Sequence, residues 1–455
     1  MKPPNAVAPA GSFYDQWTAL RDAPNLSPGK RAAAQAQLVE AWLPSSKAMG
    51  VSLQAHPKEA ILPTPLGTIV SKFADTSEVF ERDDVFAVAP GYGERMAIST
   101  GSFMLGMDAG AVYDRENSLI RLAMPVSDLT VIRRWVRNYA EGWVGQIAAK
   151  GSTIDVVQDV GYRVPIGFVG HYFGVPGPSD AVWIGWLQIL GLYIFNFWAG
   201  GSPFKEAASA AGLEYQDYIN DTIRERGAAI AAGQEVPDDV LTRMIVKAGA
   251  DPANNLDQIA MRRNLGGLSI GSIMPPSGNI IFALDVIIGL RETDRATFDT
   301  IVRAARDDDE ELLRSCMLEA GRLGAATVPP TLFRVAQSDY TLARGTDRAT
   351  LIPEGTTVIL VPPAATMDPD AIDQPQRFRI DRPDHDYMGF GQGMHECTGR
   401  AIGEVLLTEA ARAVLRLPNL RRAEGPVGQL SDGEGLPAGS YPAHMVFAFD
   451  GPVAG

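Results

Sequence analysis

The chain is 455 residues long, 46% hydrophobic and 21% charged, with a formal net charge of −14. That length buries a large core with room for an internal cofactor, and the acidic balance argues against nucleic acid or an anionic membrane surface as the main partner. Its two cysteines, Cys316 and Cys397, exclude a disulfide framework and any four-cysteine zinc or iron–sulfur cluster, so each is either buried filler or chemistry.

In chain order, Met1–Asp15 carries one lysine and no apolar run, which is not the pattern of a signal peptide or membrane anchor. Residues 1–50 read as an N-terminal extension with the first helices, loosely attached to a single unit over residues 51–455. Ile61–Lys72, around a Pro-Thr-Pro turn, is strand-like. Leu129–Ala149 places Ile132, Trp135, Val136, Tyr139 and Trp143 at helical spacing. Ala181–Ala199 has no charged residue and the length of a membrane span, but Asp180 precedes it, Gln188 and Asn196 interrupt it and no basic cluster flanks it. A buried helix is the better reading, with a lid over an apolar pocket as its functional variant.

The acidic run Asp307–Glu311 opens a helix through Cys316, since negative charge suits a helix N-terminus. Thr356–Val361 and His444–Phe449 read as short strands. Between them Pro362–Met394 is rich in Pro, Asp and Gly, and so long an irregular stretch is usually functional. Ile402–Leu415 returns to helical spacing through Leu406, Leu407, Ala410 and Val414. With no repeat and no break in composition, the economical fold class is one mostly α domain with minor β.

The irregular stretch ends in Phe390-Gly-Gln-Gly-Met-His-Glu-Cys-Thr-Gly-Arg400. Its glycines let the backbone turn tightly and approach a flat ligand. Cys397 stands at a helix start, where the dipole and free N–H groups favour a thiolate. One soft ligand without zinc-type partners points to heme iron. Cys316, on an apolar helix face, reads as filler; His56, His171, His385 and His444 lack metal-ligand spacing.

Phe390, Gly393, Cys397 and Gly399 match the Phe-x-x-Gly-x-x-x-Cys-x-Gly signature of the cytochromes P-450, with His395 where that family has Arg or His. Upstream, Glu319-Ala-Gly-Arg322 resembles the family's Glu-x-x-Arg helix, and Pro375-Gln-Arg377-Phe378 resembles the segment whose arginine closes a buried triad. The resemblance runs from about Phe103 to the C-terminus, taking in Phe103–Asp108 and Asp238–Met244. It implies a cytochrome P-450-like fold with heme b held between a long central helix and the cysteine loop, and an axial Cys397 thiolate. It also implies Arg334 as a propionate ligand. For the second propionate the family's His-x-x-x-Arg is not clean here: Tyr113 or Asp114 takes the histidine's place, and Arg115 or Arg121 the arginine's.

The central helix departs from the family. Where relatives carry Ala/Gly-Gly-x-Asp/Glu-Thr, this chain has Ile270-Gly-Ser-Ile-Met-Pro-Pro-Ser-Gly278, which puts Met274 at the acid and Pro275 at the alcohol. The alternative register on Gly266-Gly267 supplies no acid or threonine either. Two adjacent prolines should kink or break the helix, at roughly 3 kcal/mol each. Ser272, Ser277 or a substrate hydroxyl could then deliver protons.

The resemblance therefore implies a cytoplasmic heme-thiolate enzyme acting on a hydrophobic small molecule. One route is monooxygenation with electrons from a separate ferredoxin-type donor. The other uses peroxide or a hydroperoxide, as a peroxygenase, isomerase or dehydratase, without activating dioxygen. A heme-based sensor or carrier is the remote third.

Overall fold

The computed structural model describes residues 11–99, 101–195, 204–251, 254, 256–324, 330–432 and 442–451. Helices dominate, and they are organised around one long helix, Gln258–Thr293. Asp257 caps it by accepting a hydrogen bond from the Ala260 N–H at 2.8 Å. Ile270, Ile273, Ile280, Ile281, Leu284 and Ile287 are buried along it, so apolar residues surround it rather than forming one stripe. This marks a core helix. It is long and apolar enough to cross a membrane by composition, but most of its apolar stretch is buried inside the protein.

The helix runs unbroken through Pro275 and Pro276, against the expectation that the prolines would break it. The two lost N–H donors cost locally, whereas burial along the rest of the helix stabilises it over many turns. Ser277 Oγ, just beyond the prolines, donates to the Ile273 carbonyl at 2.6 Å.

Two helices, Glu310–Leu323 and Arg400–Leu415, pack beside it, and Leu129–Ala148 packs against the second of them. Apolar faces bring them together, and a buried ion cluster fixes their register. Glu409 accepts from Arg137 at 2.9 Å and from Arg412 at 2.9 Å, and Arg412 also reaches Asp308.

The main sheet has five short strands in the spatial order Ile61–Thr64, Gly67–Val70, Thr357–Leu360, Leu332–Ala336, Phe86–Ala87. Only Gly67–Val70 and Thr357–Leu360 run parallel. The strand Leu332–Ala336, which lacks a clear pattern in the sequence, pairs Arg334 with Val358 and aims it at the interior.

Residues 13–54 are not loosely attached. Phe13, Trp17, Trp42, Met49 and Leu53 share a core with Leu62 and Ile69 of the sheet and with Ile359 and Ala364. The apolar stretch from Ala181 forms the helix Asp180–Phe195, which buries Trp183, Trp186, Leu187 and Leu190. It packs against Tyr215 and Tyr218 of the helix Lys205–Ala231 through edge and tilted ring contacts. Asn196–Ala199 lie outside the described residues.

Candidate active site

Cys397 is placed by its loop. Its N–H donates to the Phe390 carbonyl at 2.9 Å, and its carbonyl accepts from the Arg400 N–H at 3.1 Å, where the next helix begins. Gly391 and Gly393 take φ values of +71° and +70°, a region that favours glycine. A Cβ at Gly393 would also collide with the Phe80 carbonyl oxygen. Arg400 is held between Glu396 at 3.0 Å and Glu404 at 3.1 Å, which ties the loop to the first turn of its helix. Burial pushes the Cys397 thiol up, and the Gly399 N–H pulls it back down.

Behind the loop lies the buried carboxylate Glu319. Arg322 donates to both of its oxygens at 2.8 Å, Arg382 Nε donates at 3.0 Å and the Arg379 N–H at 2.9 Å. The third member of the triad is therefore Arg382, not Arg377. The Arg377 side chain turns outward to Gln374 at 3.0 Å, and only its carbonyl joins the cluster, accepting from Arg382 at 3.2 Å. Segment geometry explains the exchange: the backbone must bring the Arg379 N–H to Glu319, and from that turn it is Arg382 whose guanidinium points inward. Arg382 also binds the Asp373 and Gln374 carbonyls, so the triad stitches the irregular segment ahead of the loop.

Cys397 opens into a cavity of about 1420 Å³ of empty space, its mouth included. It reaches from the central helix to the cysteine loop, the place where a flat cofactor would lie. Apolar walls come from Phe80, Val88, Tyr92, Met96, Phe103, Leu105 and Phe195. The central helix presents Leu268, Gly271, Ser272, Pro275 and Asn279, one face at helical spacing.

Met274 falls on the other side of that face. It is 3% exposed, packs into the core and does not line the cavity, which corrects its expected catalytic position. Ser272 and Pro275 line the cavity. Asn279 was missed, although its place four residues after Pro275 is the sequence signal that finds it.

Three polar groups in the cavity lack counterparts, the first being the Tyr92 hydroxyl, buried without a hydrogen-bond partner. Arg334 is 6% exposed; its guanidinium bonds the Phe333 carbonyl at 3.0 Å and lies over the Phe80 ring, and no carboxylate pairs with it among the described residues. Burial lowers its pKa, partly opposed by Tyr92 and Asp108. The His395 Nδ1 is buried without a hydrogen-bond partner. Burial, then the Arg334 charge, push that imidazole down to about 4.

Arg115 is not among the cavity residues. It follows Tyr113 by two residues, which turns its side chain by about 200° around the helix, and it lies 3.9 Å from Glu116 instead. The residue facing His395 is Tyr113, whose hydroxyl donates to the Met394 carbonyl at 2.8 Å and whose ring meets the imidazole edge-on.

These features fit heme. Cys397 would supply a thiolate to its iron, and Arg334 is a buried cation that would meet a carboxylate such as a propionate. Gly271 and Gly399, where a Cβ would meet only open space or the Cys397 sulfur, leave flat walls for a macrocycle. A half-buried cysteine, a guanidinium without a carboxylate partner and flat walls fit the site of a heme-thiolate protein.

Comparison with known proteins agrees. The family model described as Cytochrome P450 matches residues 294–418, which include Glu319, Arg322, Arg382 and Cys397. The structure superposes on that of CalO2 with a TM-score of 0.72 at 20% identity, covering 90% of this chain and 97% of that one. The heme domain of CYP116B5 from Acinetobacter radioresistens gives 0.72 at 15% identity, covering 96% and 100%.

Among curated relatives, mycinamicin IV hydroxylase/epoxidase of Micromonospora griseorubida is 26% identical over 73% of this chain and 76% of its own length. Psi-producing oxygenase A of Emericella nidulans is 25% identical over 94% of this chain but 42% of its own length. Linoleate diol synthase of Gaeumannomyces graminis is 32% identical over 33% of this chain and 11% of its own length. The chain thus spans less than half of the last two. The chain is similar to the cytochromes P450 in its fold, in the matched segment and in these relatives, and is a cytochrome P450-like enzyme.

Proposed function

We propose that this enzyme oxidises an elongated apolar small molecule at Cys397-bound heme b, taking oxygen from a peroxide or from a hydroperoxide on the substrate itself. One observation carries the route: the central-helix face above the cysteine presents Gly271, Ser272, Pro275 and Asn279, with neither carboxyl nor threonine. Delivering protons to reduced dioxygen calls for an acid on that face. Bound heme supplies an iron centre at which an O–O bond is cleaved. Ser272 and Asn279 offer neutral hydrogen bonds to a peroxide oxygen, and the apolar walls exclude competing water. Arg334 and His395 would hold the propionates, with Phe390, Gly393 and Gly399 shaping the loop beneath. The linoleate diol synthase likeness supports an acyl-chain substrate.

A second reading has one specific support. The hydroxylase/epoxidase from Micromonospora aligns over most of both chains, which favours monooxygenation with electrons from a separate ferredoxin-type donor. The net charge of −14 and the burial of the one candidate span among the described residues support a cytoplasmic protein in either case.

The test uses linoleic acid in two reactions. One contains a surrogate ferredoxin, its reductase and NADPH; the other contains hydrogen peroxide or linoleic acid hydroperoxide. Product in the peroxide reaction alone is the expected result. Product in the reductase reaction alone overturns the route.

A further inference from the structure

Pro275, at the position of the family's alcohol, and Pro276 after it also change the backbone of the helix. In an α-helix the N–H of each residue serves the carbonyl four residues earlier, and proline has none. The helical donors to the Gly271 and Ser272 carbonyls are therefore missing by covalent structure. Both residues line the cavity, together with the two prolines themselves. Gly271 has no side chain to shield its backbone, and a Cβ there would meet nothing within 4 Å. The Ser272 side chain and Asn279 lie on the same face, one turn to either side of Pro275.

Gly271 is exposed and Ser272 half-buried where they line the cavity, so a carbonyl there without its helical donor is open to a donor from a bound molecule. Elsewhere on this helix the hydroxyls turn inward: Ser269 Oγ donates to Leu265 at 2.8 Å and Ser277 Oγ to Ile273 at 2.6 Å. Neither serves Gly271 or Ser272. Of the other lining residues, Phe103, Leu105, Val88 and Phe195 have no side-chain donor, and Tyr92 has a hydroxyl.

We infer that the Gly271 and Ser272 carbonyls form an acceptor strip that selects substrates bearing an O–H donor, a hydroperoxide or an alcohol, on the carbon chain beside the cysteine-bound site. This rests on the proposed apolar-substrate reading and adds the chemical group that the substrate must carry. The double proline keeps the acceptors permanently available, at a cost in helix stability that the strip turns into recognition.

The test is a spectral binding titration of the holoenzyme with matched pairs, ricinoleic against oleic acid and cyclohexanol against cyclohexane. The wild type should bind each alcohol about fivefold tighter than its parent, the equivalent of one net hydrogen bond. Pro275→Ala and Pro276→Ala each return a helical N–H. They should raise the thermal midpoint and bring the ratio toward one, the ratio within each pair cancelling any change in affinity common to alcohol and parent. An unchanged ratio in both variants, or no preference in the wild type, overturns the inference. Neither result depends on which oxidant supports turnover, so failure of the peroxide route is read separately.

Discussion

Arg334 illustrates how a buried charge reports its missing partner. A guanidinium in an apolar cavity costs free energy unless an anion meets it, and here it has only a carbonyl and a ring face. Arg334→Met should leave the heme-free protein as stable or more stable, and should weaken heme retention in the holoprotein. Denaturation of the apo form and heme loss to a scavenger measure the two effects. Equal destabilisation of both forms would contradict a propionate role. Gly393 is the second residue whose geometry permits one side chain only. Gly393→Ala combines a left-handed φ with a collision against Phe80, and should cost about 1–3 kcal/mol, read as a lower thermal midpoint and poor heme loading.

At the scale of elements, the segment between Asp373 and Asp386 is pinned by Glu319, Arg322 and Arg382, all at most 5% exposed apart from Arg382 at 8%. Removing one partner leaves buried charge uncompensated. Glu319→Gln and Arg382→Ala should each cost about 3–5 kcal/mol, whereas Arg377→Ala should stay within about 0.5 kcal/mol. Chemical denaturation of the three variants decides which arginine closes the triad.

The pair Glu319 and Arg322 was legible because i, i+3 spacing places both on one helix face without reference to the rest of the chain. The third arginine was not. Arg377, Arg379 and Arg382 lie within a few residues in an irregular segment, and only its fold selects among them. Met274 and Arg115 were misplaced for a related reason: matching a family pattern position by position ignores helical phase, which turns Met274 into the core and brings Asn279 to the cavity. Cys397 and its glycines were readable because their geometry is local to a few residues.

Across the whole molecule, the burial of weak acids sets the behaviour at high pH. Burial pushes Cys316 up to about 12, and Tyr92 and Tyr162 likewise up to about 12, from ordinary values of 9.0 for the thiol and 10.0 for the phenols. Each group holds its proton more tightly when folded, so its stabilising contribution is complete below the ordinary value. That contribution is lost as pH rises toward the folded value. Denaturation midpoints should therefore fall between about pH 8 and about pH 11; a flat profile over that range would contradict the burial of these groups.

The mostly helical class followed from apolar spacing, while the sheet was harder to read. Its strands are two to five residues long, too short for alternation to register, and Leu332–Ala336 gained its identity only by pairing with Thr357–Leu360.

The cysteine loop, Arg334 and the cavity support the proposal that Cys397 is the heme's thiolate ligand. The reduced carbon-monoxide complex tests that directly. The wild type should give the red-shifted Soret band of a thiolate-ligated heme, and Cys397→Ala should lose it while remaining folded by circular dichroism. A wild-type band typical of histidine-ligated heme, or a thiolate band that survives Cys397→Ala, would contradict the assignment.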